Sequence, residues 1–281
     1  SLYGRFDFIL AKDGTPKILE FNADTPTSLL EASVIQWQWK EDVFPECDQF
    51  NGIHEGLVQS WKDIFPKKGE IHFAGALENN EDTGTLQYLA STAMEAGFST
   101  RVLDMQALDL QNGRFFDPAG ELVNRCFKLY PWEWMVDESP DGCLAEMEWL
   151  EPIWKLVMSN KAILATLYEL FPDSPYVLPC YLSRPRSGLF CKKPVFSREG
   201  HNVSVVDIRD WEEYVRIAET EGDYNTGAYV YQEYVEPTAY SGRYPVIGSW
   251  IIGGEAAGIG IRENRMEVTD NLSEFVPHII G

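Results

Sequence analysis

Two stretches at the start of the chain alternate apolar and polar side chains. Arg5-Phe6-Asp7-Phe8 and Leu19-Glu20-Phe21-Asn22 each carry the period of two that predicts a strand, and Asp13-Gly14 between them is a strong signal for a two-residue hairpin turn. Centring the turn on Asp13-Gly14 sets Asp7 opposite Glu20 and Arg5 opposite Asn22, with all four on one polar face. Helical spacing then predicts a helix over 27–39, with Leu29, Leu30, Val34 and Trp37 on its apolar side, and another over 53–65. An apolar strand over 71–77, a helix over 85–96 stopped by Gly97, and a strand over 100–103 predict a small α/β layer spanning about 67–125. Helices are predicted over 144–157 and 162–171, the second halted by Pro172. From residue 190 strands dominate, over 190–195, 203–206, 228–235, 246–252 and 256–262, with a helix over 210–220 between them. Gly253-Gly254 reads as a second hairpin turn, and 40–52, 110–120 and 236–244 read as loops. The fold class is mixed, α+β with α/β, and divides into 1–66, 67–125 and 126–281.

Composition narrows the partners. Lys plus Arg is 23 and Asp plus Glu 44, a net charge of −21. That balance argues against nucleic acid and anionic membrane surfaces and suits a cationic partner such as a polyamine, although acidity also serves plain solubility. No apolar run approaches transmembrane length and no secretory signal is visible. The five cysteines are scattered without a Cys-x-x-Cys pair, which predicts reduced thiols in a cytoplasm; the four histidines are scattered too, against a zinc site. The chain opens without Met and almost inside a strand, so a preceding segment is expected.

Charge on the polar hairpin face gives the first candidate chemistry. Two carboxylates directly opposite each other repel. A hard divalent cation held by Asp7, Glu20 and the Asn22 amide reverses that cost, and oxygen donors completed by water and phosphate suit Mg²⁺. Arg5 beside them suits a phosphate or an anionic transition state. An ordinary hairpin with a solvated polar face is the plain alternative. Ser159-Asn160 can cap the helix over 162–171; Lys161 at its start opposes the helix dipole unless a phosphate binds there, and a lysine pointing into solvent fits equally well. Lys193 before Pro194 feeds a loop in which Ser197, Gly200 and Asn202 let backbone N–H groups approach a phosphate. Tyr229 to Val235 has polar tips, Gln232 and Glu233 among them, that could read an adenine edge and a ribose; a half-buried structural strand reads the same. Gly258 and Gly260 below Arg262 clear a flat lane for a ligand, or mark a strand whose glycines serve packing.

In order, these pieces resemble the synthetase domain of the glutathionylspermidine synthase family, and more closely its stand-alone bacterial relatives without an amidase domain. The resemblance runs from Leu2 to Ile280. It rests on Arg5-Phe6-Asp7, Glu20 to Asp24, Lys128 to Glu133, Asn160-Lys161-Ala162, Lys193 to Asn202, Gly258 to Arg262 and Phe275 to His278. It implies an ATP-grasp-like fold with a small pre-ATP-grasp-like α/β subdomain, and an ATP- and Mg²⁺-dependent ligase joining a peptide carboxylate to an amine such as a polyamine. It implies Asp7, Glu20 and Asn22 as metal ligands, and Lys161 and Lys193 at the phosphates under the loop from Ser197 to Asn202. Gln232 and Glu233 then lie at the nucleoside, and Arg5, Arg198 and Arg262 at the transferring phosphoryl group. Thr25 and Thr27 fall at the peptide site, and Glu81, Asp82 and Glu274 at the polyamine site. Two departures stand out: no cysteine-amidase domain is present, and Asp24-Thr25-Pro26-Thr27-Ser28 differs from the family pattern at the peptide site. A non-catalytic nucleotide- or polyamine-binding module, and an ATP-dependent phosphotransferase using the same site, are the competing readings.

Overall fold

The opening hairpin reaches its expected register by an unexpected route. In a computed structural model, which describes residues 1–198, 200–210, 214–222, 224, 227–265 and 273–281, strands β1 (Tyr3–Leu10) and β2 (Pro16–Asn22) pair antiparallel. Asp7 faces Glu20 and Arg5 faces Asn22. The turn, however, has three residues, Lys12 to Gly14, closed by Ala11 and Thr15, with Gly14 at φ 82°. Phe8 therefore faces Ile18, and Leu19 is left over as a bulge between Phe8 and Asp7. The extra turn residue and the bulge cancel, so the site register holds.

Residues 29–43 are helical, but the stretch opens with a π turn over Glu31–Ile35 before α1 (Gln36–Val43). A π turn inserts one residue and rotates the buried face. The expected apolar side is corrected accordingly: Leu29 is buried, whereas Val34 and Trp37 are exposed and Ala32, Ser33, Gln36 and Lys40 point inward. Helix α2 (Ile53–Ile64) follows.

β3 (Glu70–Gly75), α3 (Asn80–Glu95) and β4 (Ser99–Asp104) form the expected strand–helix–strand layer, and Gly97 after α3 has φ 95°. A small antiparallel sheet of β5 (Asp109–Gln111), β6 (Arg114–Phe116) and β7 (Leu122–Val123) stands in part of the expected 110–120 loop. The parallel sheet is wider than 67–125: its order is β4-β3-β8-β9, taking in β8 (Arg125–Leu129) and β9 (Glu148–Leu150).

The helix expected over 144–157 is absent. Two short helices, α4 (Trp132–Glu138) and α5 (Pro140–Cys143), precede β9, and α6 (Lys155–Met158) follows it. Pro152 cannot donate inside a helix, and Leu150 is more deeply buried as a strand residue beside β8. α7 (Ile163–Leu170) and β10 (Cys180–Tyr181) lead into the antiparallel half.

There β11 (Gly188–Pro194), β12 (Ser204–Ile208), β13 (Tyr214–Glu219) and β14 (Tyr229–Glu233) form the sheet β10-β14-β11-β12-β13. β13 replaces the helix expected over 210–220; of that stretch, 211–213 lie outside the described residues. It is an edge strand carrying Arg216 and Glu219, with almost no buried face to betray a period of two. β15 (Tyr244–Ile252), the two-residue turn at Gly253-Gly254, β16 (Glu255–Asn264) and β17 (Glu274–Val276) complete the sheet β17-β16-β15-β1-β2. The largest core cluster lies between this sheet, α2, α3 and the parallel layer. Tyr3, Trp61, Phe73, Phe127 and Trp250 are its bulkiest members, and the indole of Trp61 donates to Thr92 at 2.9 Å.

Candidate active site

A cleft opens between the two five-stranded sheets. Strand periodicity sends Arg5, Asp7 and Ile9 into it from β1, and the bulge sends both Leu19 and Glu20 in from β2. β11 contributes Cys191 and Lys193, β14 Gln232 and Glu233, β16 Arg262.

Each carboxylate on the hairpin has its own cations. Asp7 takes two hydrogen bonds from Arg5, Nε at 2.6 Å and Nη2 at 2.8 Å, and a third from Arg262 Nη2 at 3.2 Å. Arg5 is buried, which disfavours its charge, yet Asp7 outweighs that and raises its pKa. Its Nη1 donates to the Thr27 carbonyl. Glu20 lies 3.0 Å from Lys161 Nζ. Burial opposes its ionisation, but Lys161 and Lys193 win and hold it down to about 2. Lys161 also donates to the Ser197 carbonyl at 2.6 Å. Lys193 donates to the Leu19 carbonyl at 3.0 Å and to Gln232 Oε1 at 2.7 Å; burial lowers its pKa despite these partners.

The amide nitrogen of Asn22 lies 3.2 Å from both Asp7 Oδ2 and Glu20 Oε1, so one small donor bridges the two carboxylates. Turning that amide over presents its oxygen instead. Two carboxylates and an amide oxygen around a common point fit a hard cation such as Mg²⁺. Among the described residues no group of three or more His, Cys, Asp and Glu side chains forms a metal cluster.

Ser197 and Gly200 stand on the loop after β11, and Gly200 lines the cleft at φ 71°. Asn202 faces elsewhere: its amide bonds the Gly222 carbonyl and the Tyr224 N–H, fastening the loop to those two residues. Gln232 lines the cleft but both ends of its amide are engaged, with Lys193 and with the Ile18 carbonyl at 2.8 Å. Glu233 is exposed at the cleft edge. Arg198 donates to Thr25 Oγ1 at 2.7 Å and pairs with Glu133. Thr25 and Thr27 both line the cleft.

The three acids implied for a polyamine do not come together. Glu81 and Asp82 sit in the first turn of α3, and Asp82 is close enough to Tyr3 to contribute to the raised pKa that burial gives its phenol. Tyr3 faces Ile252 on β15, whereas Glu274 faces Glu263, which faces Pro245, seven residues along the same strand. Glu274 pairs there with Arg243 at 2.8 Å.

The glycine lane is corrected to packing. A Cβ on Gly258 would meet Ile53 at 2.9 Å, and one on Gly260 would meet Phe275 at 3.0 Å and Ala32 at 3.1 Å. Gly248, opposite Asp7, makes room for a cleft side chain: a Cβ there would strike Arg5 Cδ at 2.7 Å.

Sequence reasoning gave no role to the supports beneath the site. Lys128 is fully buried and donates to Asp24 Oδ1 at 2.6 Å and to the Tyr130 carbonyl at 2.9 Å, while Asp24 Oδ2 accepts from Trp132 N at 2.9 Å. Glu151, equally buried, accepts from the Leu2 and Tyr3 N–H groups, and Lys155 donates to the Tyr3 and Ala23 carbonyls. Asp24 and Lys128 lie in stretches that carried the family resemblance, but only burial marks them as a pair.

Comparison with known proteins agrees with this architecture. The family model described as glutathionylspermidine synthase preATP-grasp matches residues 1–281. A Haemophilus influenzae protein, named provisionally an acid–amine ligase, is 39% identical over 99% of this chain and 74% of its own length. Trypanothione synthetase of Crithidia fasciculata is 28% identical, and the bifunctional glutathionylspermidine synthetase/amidase of Escherichia coli is 26% identical; the chain spans 46% and 49% of these two. In fold, a glutathione synthetase-like effector of Globodera pallida superposes with a TM-score of 0.62 at 10% identity, covering 100% of this chain and 76% of that one. A Methylobacillus flagellatus structure provisionally named a gamma-glutamylcysteine synthetase gives 0.68, also at 10% identity, covering 99% and 80%. The mixed α/β architecture is thus that of glutathione synthetase-like ATP-grasp proteins, the chain belongs to the glutathionylspermidine synthase family, and its enzyme class is that of an ATP-dependent carbon–nitrogen ligase.

Proposed function

We propose that the cleft activates a peptide-like carboxylate by phosphorylation from ATP and passes the acyl group to an amine, in the manner of a glutathionylspermidine synthase. The observation that carries this reading is the convergence of five cations with the paired carboxylates of Asp7 and Glu20 on one cleft between two sheets. Ile9, Leu178, Val203 and Val246 give the cleft an apolar slot for a base, with Glu233 at its edge for a ribose. Lys161 and Lys193 pair with the phosphates, and an incoming phosphate favours the charged form of Lys193 that burial disfavours. Asp7, Glu20 and Asn22 would hold Mg²⁺, which would supply charge neutralisation along the phosphate chain. Arg5, Arg198 and Arg262, held by their protein partners, supply fixed positive charge beside the equatorial oxygens of the transferring group.

A substrate carboxylate oxygen attacks the γ-phosphorus and ADP leaves. The amine then attacks the acyl carbon and phosphate leaves. Ser197, Gly200 and the rest of their loop exclude water from the acyl phosphate. Thr25 and Thr27 receive the peptide. Glu81 and Asp82, at the carboxyl end of the parallel sheet, and Glu274 attract a cationic amine. Among the described residues no helix is long and apolar enough to cross a membrane. The five free cysteines support a reducing compartment, the cytoplasm.

Incubation with ATP, Mg²⁺, glutathione and spermidine, read by mass spectrometry, tests the reading. The expected result is an amide-linked product formed in step with ADP and phosphate. A phosphorylated product without amide would indicate a phosphotransferase, and nucleotide binding without turnover a non-catalytic module. Lys193→Ala should weaken ATP binding by at least about tenfold, the loss of one charge-assisted contact.

A further inference from the structure

Arg198 is held by two jaws. Its Nη1 donates to Thr25 Oγ1 at 2.7 Å and its Nη2 bonds Glu133 Oε1 in the first turn of α4. The indole of Trp134, on the same helix, lies 5.8 Å from the guanidinium carbon. The jaws are fastened to each other through their neighbours: Asp24 accepts from Trp132 N, and buried Lys128 holds Asp24. The third edge of the guanidinium, Nε, is buried and has no hydrogen-bond partner. Arg198, Thr25 and Glu133 line a second, smaller recess with Asn22, Lys161 and Ser159, whose hydroxyl is also buried without a partner among the described residues. Asn22, Thr25, Lys161 and Arg198 line the main cleft as well. Buried donors left unpaired are costly unless something else meets them.

We propose that Glu133 is a positioning residue: with Thr25 it fixes the guanidinium of Arg198 at the cleft wall, in the place from which it meets the transferring group. This rests on the reading of the cleft as a phosphoryl-transfer site. An arginine on a loop has many rotamers, and a contact made only at the transition state works best when its geometry is set beforehand. Glu133 supplies that geometry from a helix anchored in the core, without itself touching substrate.

The test is a cycle of Glu133→Ala, Arg198→Ala and the double variant, with Glu133→Gln as the conservative control. Folding is checked by urea unfolding, and ADP release is measured with glutathione and spermidine. Glu133→Ala should lower kcat about 10- to 100-fold, the scale of an ångström misplacement. KM for ATP should stay within about twofold, and Glu133→Gln, whose amide oxygen still accepts, should recover most of the loss. On the Arg198→Ala background, Glu133→Ala should cost no more than about twofold. An unchanged kcat in Glu133→Ala, an increase in it, or the same loss with Arg198 absent overturns the proposal. Hydrogen exchange over 196–203 gives a readout without turnover: Glu133→Ala should speed it and Glu133→Gln should not. If the wild-type protein forms no product, the reading of the cleft fails, while unchanged exchange in Glu133→Ala would overturn the clamp by itself.

Discussion

Four carboxylate–cation pairs, three of them buried and Lys161–Glu20 partly so, divide into two kinds. Asp24–Lys128 and Glu151–Lys155 are closed to the cleft: both hold backbone groups, the first pair is hydrogen-bonded at 2.6 Å, and the second is an ion pair at 3.3 Å in which Glu151 Oε2 makes no hydrogen bond. Arg5–Asp7 and Lys161–Glu20 are equally close, at 2.6 and 3.0 Å, but face an open cleft. A closed pair resembles a structural rivet, whose loss strands a charge in a dry core. An open pair is provisional, because water or a ligand can replace either member. Burial alone therefore does not tell scaffold from chemistry; what the charge faces does.

The sharpest way to break this comparison is to remove one member of a closed pair. Asp24→Ala leaves Lys128 buried without its anion and frees the Trp132 N–H, and should cost about 3–5 kcal/mol in urea unfolding. A loss under about 1 kcal/mol would show that water reaches the site and that the pair is not closed. Asp7→Asn should behave in the opposite sense. Asp7 is only 2% exposed, so the change is not a surface one, but the amide still accepts from Arg5 and the cleft admits water. Turnover should fall by about 10²–10³, with stability changing much less than in Asp24→Ala. Comparable losses of stability in the two variants would erase the distinction.

A smaller effect sharpens the contrast through pH. Glu20 is held near 2 against an ordinary 4.5, so its ionised form contributes stability above about pH 4.5, and that contribution is lost as pH falls toward 2. Glu20→Gln should therefore differ most from the wild-type protein near neutrality and converge with it across that window. Stability curves that run parallel through the window would mean that Lys161 and Lys193 do not hold the carboxylate.

The same division explains what was legible in the chain. The hairpin announced its polar face because strand side chains alternate and four polar residues share one parity. Lys161, Lys193, Arg198 and Arg262 were legible as cations near loops or glycines, and all reach the cleft. The supports were not legible: Lys128 and Glu151 look like surface residues until tertiary packing buries them. Residues 144–157 have apolar side chains at helical spacing, yet Leu144 is 84% exposed and Leu150 is in a strand. There Pro152 was the signal passed over. β13 misled for a different reason: an edge strand open on nearly every side has no buried face to impose its period.

The bulge at Leu19 has a consequence for how this protein can change over time. Because Leu19 is out of the ladder, its carbonyl is available to Lys193 of the opposite sheet, and the carbonyl of Ile18 beside it takes Gln232. The bulge thus works as a slip joint: everything from Leu10 to Pro16 pairs in one phase and everything from Asp7 and Glu20 inward in another. A lineage that lengthens or shortens the turn can absorb the change at that joint, leaving the opposed carboxylates and the stitch between sheets in phase. The outer end of the hairpin is free to drift while its inner end is inherited intact.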